Sequence, residues 1–409
     1  MSPFAISQPM ASDDDVLTRA RRLIDDKEVL RLARDLIRVT SITKHEEAVS
    51  ERIFTWLDEC GLSPRSVPVE GHGPCVVAEV GPRKAPAVVL NGHMDTVEVM
   101  NGWRHDPFGA AVEGGLLYGL GALDMKSGLA AMMIAFRSLA RSEGELSSRV
   151  AFQSVSGEEG TSAGTRALID KGLMRNAKAV IVGEGFGGLR AITMGRRGGS
   201  YFNMDVIGRA AHGSKPEDGI SAVSDAARIV CALDGMRLKK AHGLVADDFL
   251  PLKESQTVLR ISGGSDTLTV PETCRLRVIR CTIPNSGDVA EDLARTIRGL
   301  GLRSTVTMEL EDGPGDLFHP HLTPRDSELV RVSSRWIKRL TGRSPRLVIG
   351  RSEADDNIIA HDAGVPVVCF GAGESGELAR YHQPEEAVHV AQLATASRAY
   401  YAASLGLAT

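Results

Sequence analysis

The stretch VVLNGHMDTVE, residues 88–98, decides how the chain is read. Val88, Val89 and Leu90 run into an Asn-Gly break, and His93 and Asp95 then stand two apart. In an extended segment, residues two apart point the same way. One ring nitrogen of His93 can then bind a metal while Asp95 accepts a hydrogen bond from the other, fixing tautomer and ring orientation. A short apolar run that ends in such a pair reads as a buried strand delivering chemistry at its carboxyl end.

Similar runs recur along the chain. Candidate strands are 74–80, 86–91, 149–155, 179–183 and 365–370. Amphipathic helices are expected over 15–38 and 46–60, with the acidic run at 13–15 capping the first. Further helices are expected near 126–140, 163–172, 326–341 and 386–405. Short apolar strands separated by helices predict an α/β fold: a mixed, mostly parallel sheet with helices on both faces. The middle breaks this rhythm. After GRRGG (195–199) come an alternating strand, a helix near 219–236, strands at 256–262 and 274–282, a helix near 287–300 and a strand at 303–311. That β-α-β-β-α-β order is the ferredoxin-like arrangement. It predicts a catalytic domain made of 1–196 and 317–409, with 197–316 inserted as a second α+β domain. GPGDLF at 313–318 is the expected return link.

The strand ends carry the chemistry. His93 and Asp95 follow the second strand, Glu158 and Glu159 the third (SGEEG), and Glu184 the fourth (VGEG). His382 lies in the loop after 365–370 (YHQPEE), and Asp124 in a Gly-rich loop that opens a helix. Ligands of open α/β sheets bind outside the carboxyl ends of the strands. Each residue alone has a plainer reading: a surface histidine, a solvated glutamate turn, or an N-cap aspartate. Together they place five segments at one edge. Imidazole and carboxylate without thiolate suits Zn²⁺, Co²⁺ or Mn²⁺. The set exceeds the three protein ligands of one catalytic zinc and suits two metals sharing a carboxylate.

At these residues the chain resembles the acetylornithine deacetylase / succinyl-diaminopimelate desuccinylase / glutamate carboxypeptidase family of two-metal metallohydrolases. The motifs GHMDTV, YGLGALDMKSG, SGEEG, VGEG, GRAAHGSKPEDG, VPE…RCTIP and GAG…YHQPEE run in family order over nearly the whole length. The resemblance implies a zinc-peptidase-like catalytic domain with an inserted lid and dimerisation domain. It implies that His93 and Glu184 hold one divalent ion, that Glu159 and His382 hold the other, and that Asp124 bridges them. Glu158 becomes the general base, which must stay off the metal yet within reach of its water. His212, in GRAAHG, becomes the lid histidine that reaches across a homodimer to the oxyanion. Arg280 becomes the arginine that grips the substrate carboxylate, and the loop of Gly371 and Gly373 lies along that carboxylate. Glu184, where aminopeptidases of the family tend to carry Asp, favours deacylase or carboxypeptidase chemistry. Leu268 replaces an Asn of many relatives, Leu120 an Arg, and Ala354-Asp355-Asp356-Asn357 a Ser/Thr-Asp start.

Other classes are disfavoured. Of the 409 residues 24% are charged, for a net charge of −4. With no basic block, nucleic acid is not expected as a partner. No run of about 18 apolar residues predicts a membrane span. The first residues, MSPFAISQPMASDDD, do not read as a signal peptide. Six cysteines without a CxxC pair read as reduced thiols in a cytoplasmic protein. GAGESG at 371–376 spells a dinucleotide fingerprint, but the chain beyond it lacks the second strand that a dinucleotide fold needs. The expected activity is hydrolysis of the amide of an N-acyl amino acid or a C-terminal peptide-like substrate. The alternatives are a dipeptidase or aminopeptidase acting on free peptides, and a non-catalytic binding protein on the same fold.

Overall fold

A computed structural model describes residues 12–311, 313 and 317–409. The start of the N-terminal segment and residues 314–316 of the expected return link therefore lie outside the described residues. Chain contacts separate two compact units. One comprises residues 1–195, 323–348 and 354–409, and the other 196–322 and 349–353.

The first unit is built on a mixed sheet. Its centre is the strand Ala87–His93, in which every residue is buried. It pairs in parallel with Arg149–Val155 on one side and Ala177–Val182 on the other. Val367–Cys369 extends the parallel run beside Ala177–Val182. Cys75–Val80 and Arg65–Val67 add antiparallel strands at one end. Burial on both faces explains the unbroken apolar runs. Ala87, Val89, Val180 and Val367 pack on one face with Met174, Ile359 and Val365. Period-two alternation turns Val88 and Leu90 to the other face. The helix Lys126–Ala140 is buried over nearly its whole length and packs on the C-terminal helix Val390–Ala408. The parallel strands all point the same way, so their carboxyl ends form one rim.

The second unit orders its strands Ser255–Gly263, Thr273–Thr282, Gly198–Ile207 and Thr305–Leu310, all antiparallel. In chain order that is 2-3-1-4, the ferredoxin-like topology. The helices Ala222–Asp234 and Val289–Arg298 cover one face, with Ile229, Leu233 and Leu293 packed on Phe202, Met204, Leu276 and Val278. A small hairpin, Lys240–Val245 with Pro251–Lys253, was not anticipated.

Three expectations are corrected. The helix over 15–38 is two helices, Asp13–Leu23 and Asp26–Ile37. Ile24 turns extended, and Asp25 caps the second helix by accepting from the N–H of Lys27 and Glu28. The cap of the first helix is Ser12, and the acidic run fills its first turn, where the helix dipole favours negative charge. The GRRGG stretch ends the strand Ala191–Arg196 and begins Gly198–Ile207, with Arg196 fully buried. The C-terminal helix starts at Val390, after a short strand Ala387–His389. Asp355–Asp362 forms a further helix. Among the described residues, no helix is long and apolar enough to cross a membrane. All six cysteines are free.

Candidate metal centre

His93 is the last residue of the central strand, and Asp95 follows on the chain leaving it. The His93 ring lies between two carbonyl-type oxygens. Its Nδ1 is 3.1 Å from the backbone oxygen of Asp95, and its Nε2 is 3.0 Å from Asp124 Oδ1. The Asp95 carboxylate is farther from Nδ1, at 3.6 Å, because it is used elsewhere. It accepts from the backbone N–H of Glu158 and of Glu159, both at 3.1 Å, and from the Thr43 hydroxyl at 2.9 Å. Asp95 thus fixes the turn Glu158–Thr161 that presents both glutamates, a duty the sequence reading missed.

Asp124 lies in the loop ahead of the helix Lys126–Ala140 and is not its cap: the N-cap is Met125. Glu386 holds this loop. Its carboxyl accepts from the N–H of Gly121 at 3.1 Å, Leu123 at 2.7 Å and Asp124 at 3.0 Å. Asp124 Oδ2 then faces His382 Nε2 at 3.4 Å, and the same nitrogen is 2.9 Å from Glu159 Oε2. His382 itself is left-handed (φ 58), a conformation that costs about 1–3 kcal/mol and persists only where its surroundings dictate it. Ligand atoms of His93, Asp124 and Glu159 all lie within 4.8 Å of one another. Glu184 is buried two residues beyond the strand Ala177–Val182, and its charge is felt at Glu158 and at Tyr381. Tyr381 was not singled out from sequence. Its hydroxyl donates to Gly185 O at 3.2 Å, and its ring packs 4.8 Å from that of Phe186.

The electrostatics of the cluster call for positive charge. Burial pushes the Glu158 carboxyl well above its ordinary range, with Asp355, Glu159 and Glu184 adding repulsion against the pull of His93. Glu159 is raised too, by burial and by Asp124. The Asp124 and Glu159 carboxylates lift His382 to about 11. Burial opposes protonation of His93, yet Asp124 and Asp95 raise it well above the usual imidazole range. One oxygen of Glu159 is buried without a hydrogen-bond partner, a cost a cation would relieve. Oxygen and imidazole donors without thiolate suit a divalent ion of the zinc, cobalt or manganese kind. The residues present therefore fit such an ion.

The remaining expected site residues fall differently. Gly371 and Gly373 are packing positions. A Cβ at 371 would meet the Tyr400 hydroxyl at 2.2 Å, and one at 373 would meet Gly185 O at 1.5 Å. Close approach to the 183–185 segment is what demands glycine there. In the second unit, His212 is exposed. The Ser214 N–H donates to its Nδ1 at 3.2 Å, so the neutral ring carries its proton on Nε2, facing outward. Leu268 is exposed beside it, since the residues around 212 and 268 bridge. Arg280, expected to grip a substrate carboxylate, is buried on the helix-covered face, with its guanidinium donating to Glu254 Oε2 at 2.8 Å and Gln256 Oε1 at 2.9 Å. Taking up a substrate carboxylate would leave Glu254 buried and unpaired, which is expensive.

A family model described as Peptidase family M20/M25/M40 matches residues 89–405. A succinyl-diaminopimelate desuccinylase of Methylobacterium radiotolerans is 31% identical over 385 residues, covering 89% of this chain and 93% of its own. The structure of aminopeptidase PepT from Bacillus cereus superposes with a TM-score of 0.76 at 22% identity, over 95% of this chain and 100% of that one. Bacillus subtilis YXEP, described as a dinuclear metal-binding peptidase of the M20 family, gives a TM-score of 0.73 at 16% identity, over 94% and 98% of the two chains.

Proposed function

The chain belongs to the peptidase family M20/M25/M40 and is a hydrolase of amide bonds, and on that premise we propose a two-metal deacylase or carboxypeptidase acting on an N-acyl amino acid or a C-terminal peptide-like substrate. The observation that carries this reading is the Asp124 carboxylate, whose two oxygens face two different imidazoles, His93 and His382. A carboxylate in that position suits the bridge of a dinuclear centre. We assign His93 and Glu184 to one ion and Glu159 and His382 to the other, with Zn²⁺ as the first choice and Co²⁺ or Mn²⁺ as substitutes. Such ions, when bound, acidify an attacking water and polarise the scissile carbonyl.

The chain's own groups do the rest. Glu158 stands next to Glu159 in the turn Glu158–Thr161, and its charge acts on the His93 ring. Its raised affinity for a proton suits a base that takes one from the attacking water and hands it to the leaving nitrogen. Asp95 holds Glu158 and Glu159 in register through their backbone N–H groups. The second unit serves as lid and dimerisation domain in this reading. Its strand Ser255–Gly263 is an edge, with Leu259 and Ile261 exposed. In a homodimer built there, the partner subunit's His212 would donate its Nε2–H to the developing oxyanion. The six cysteines, none of them in a disulfide, fit a cytoplasmic setting.

The test is product analysis on a mixed panel of N-acetyl, N-succinyl and N-carbamoyl amino acids beside free dipeptides, with metal-loaded and chelated protein. Cleavage of the blocked substrates only when metal is present is the expected outcome. Cleavage of free dipeptides alone would make the enzyme a peptidase, and metal-independent turnover would overturn the two-metal reading.

A further inference from the structure

The first unit contains a second cavity, of about 570 Å³, away from the residues of the metal centre. It opens between the C-terminal end of the helix Glu328–Thr341 and the first turns of Val390–Ala408. Leu189, Arg190, Arg343, Arg346, Gln392 and Thr395 define its walls. Its size falls within the range of small-molecule sites, about 300–1,000 Å³.

The charge of the lining is one-sided. Three arginines face the cavity, and among the described residues no carboxylate lines it. The guanidinium groups of Arg190 and Arg343 make no ion pair with a described residue. Glu374, which bonds the lining residues His389 and Gln392, is buried and already satisfied. It accepts from the His389 N–H at 2.8 Å, from His389 Nδ1 at 2.7 Å and from Gln392 Nε2 at 2.8 Å. That carboxylate therefore does not serve the arginines. Between them the wall is apolar, with Leu189, Ala391 and the Thr395 methyl group. All three arginines are exposed, so solvent screens their mutual repulsion; they remain a group of cations at an apolar-lined cavity, and a guanidinium fork suits a planar or tetrahedral oxyanion.

We propose that this cavity is a second, non-catalytic binding site for a small organic anion with an apolar body: a carboxylate, sulfonate or phosphate head on an aliphatic or aromatic group. The head lies between Arg190 and Arg343, and the body lies against Leu189 and Thr395.

The test titrates the full chain with the fluorescent probe 8-anilinonaphthalene-1-sulfonate, with octanoate and octanol as competitors. Saturable one-to-one binding is expected, displaced by octanoate at concentrations at least tenfold below those needed of octanol. Binding should persist in chelated protein, which separates the cavity from the metal centre. Two variants approach the site independently. The double variant Arg190→Ala/Arg343→Ala removes the charge, and Thr395→Trp fills the space. Each, checked for folding by thermal unfolding, should weaken binding at least tenfold. Unchanged binding in both folded variants, equal displacement by octanol, or loss of binding on chelation would each overturn the proposal.

Discussion

The chain contains two Glu-Glu pairs beside its metal centre, and they do opposite work. Glu158 and Glu159 offer their side chains to the cluster while Asp95 takes their backbone N–H groups. Glu385 and Glu386 turn their side chains to the backbone. Glu386 gathers three N–H groups of the Asp124 loop, and Glu385 takes those of Arg104 and His105. The first pair is chemistry held by scaffold, and the second is scaffold that holds chemistry. The same dipeptide takes either role according to where the unsatisfied N–H donors lie.

Four substitutions test that contrast. The largest effect on turnover belongs to Glu158→Ala, which should lower kcat by about 10²–10⁴-fold. Metal content, read by elemental analysis, should stay at the wild-type value. A loss of metal in step with activity would move Glu158 into the ligand set. Asp95→Asn should lower kcat less, and should lower metal affinity as well, because it loosens both glutamates together.

Glu386→Ala should strike stability first. Three buried N–H groups lose their acceptor, at ~1–3 kcal/mol for each such group, so chemical denaturation should register a loss of at least about 3 kcal/mol. A stability loss with metal affinity untouched would show that the Asp124 loop stands without Glu386.

Glu385→Gln should have the smallest effect, visible in its pH dependence. Burial raises the Glu385 carboxyl, but N–H donation from His105 and Arg104 outweighs it and holds the group at about 2, against an ordinary 4.5. Its stabilisation is therefore complete above about 4.5 and lost as pH falls through about 2. His105 is raised above its ordinary 6.5 by Glu113 and Glu385. Its share is complete below 6.5 and lost as pH rises through the raised value. The melting temperatures of wild type and variant should differ most near pH 5–6 and converge towards pH 2. A constant gap across that range would remove the carboxylate from the argument.

The contrast also explains what could be read in advance. The places of His93, Glu159 and Glu184 at strand ends were legible because the strands before them are largely apolar, buried on both faces, and end abruptly. The topology of the second unit could be read from the succession of its strands and helices, and the 2-3-1-4 order of its strands follows that succession. Glu386 was not legible, because its three partners lie more than 260 positions away. The helix Asp355–Asp362 carries no apolar stripe to announce it, since Asp355, Asp356 and Asn357 are themselves buried. The burial of Arg280 was not anticipated although a signal for it existed. Cys274, Leu276 and Val278 alternate inward, and position 280 continues that face.

The three hydrogen bonds of Glu386 also set an order of events during synthesis. The Asp124 loop belongs to the first third of the chain, and the carboxyl that holds it is made near the end of the 409 residues. Until residue 386 exists, the N–H groups of Gly121, Leu123 and Asp124 have only water for a partner. His382 arrives on the same late segment, so the second imidazole and the clamp are delivered together. A growing chain therefore cannot complete the centre early, however soon its parallel strands form. On the reading proposed above, a chain that stops short of residue 382 would carry neither the second imidazole nor the carboxyl that holds the Asp124 loop.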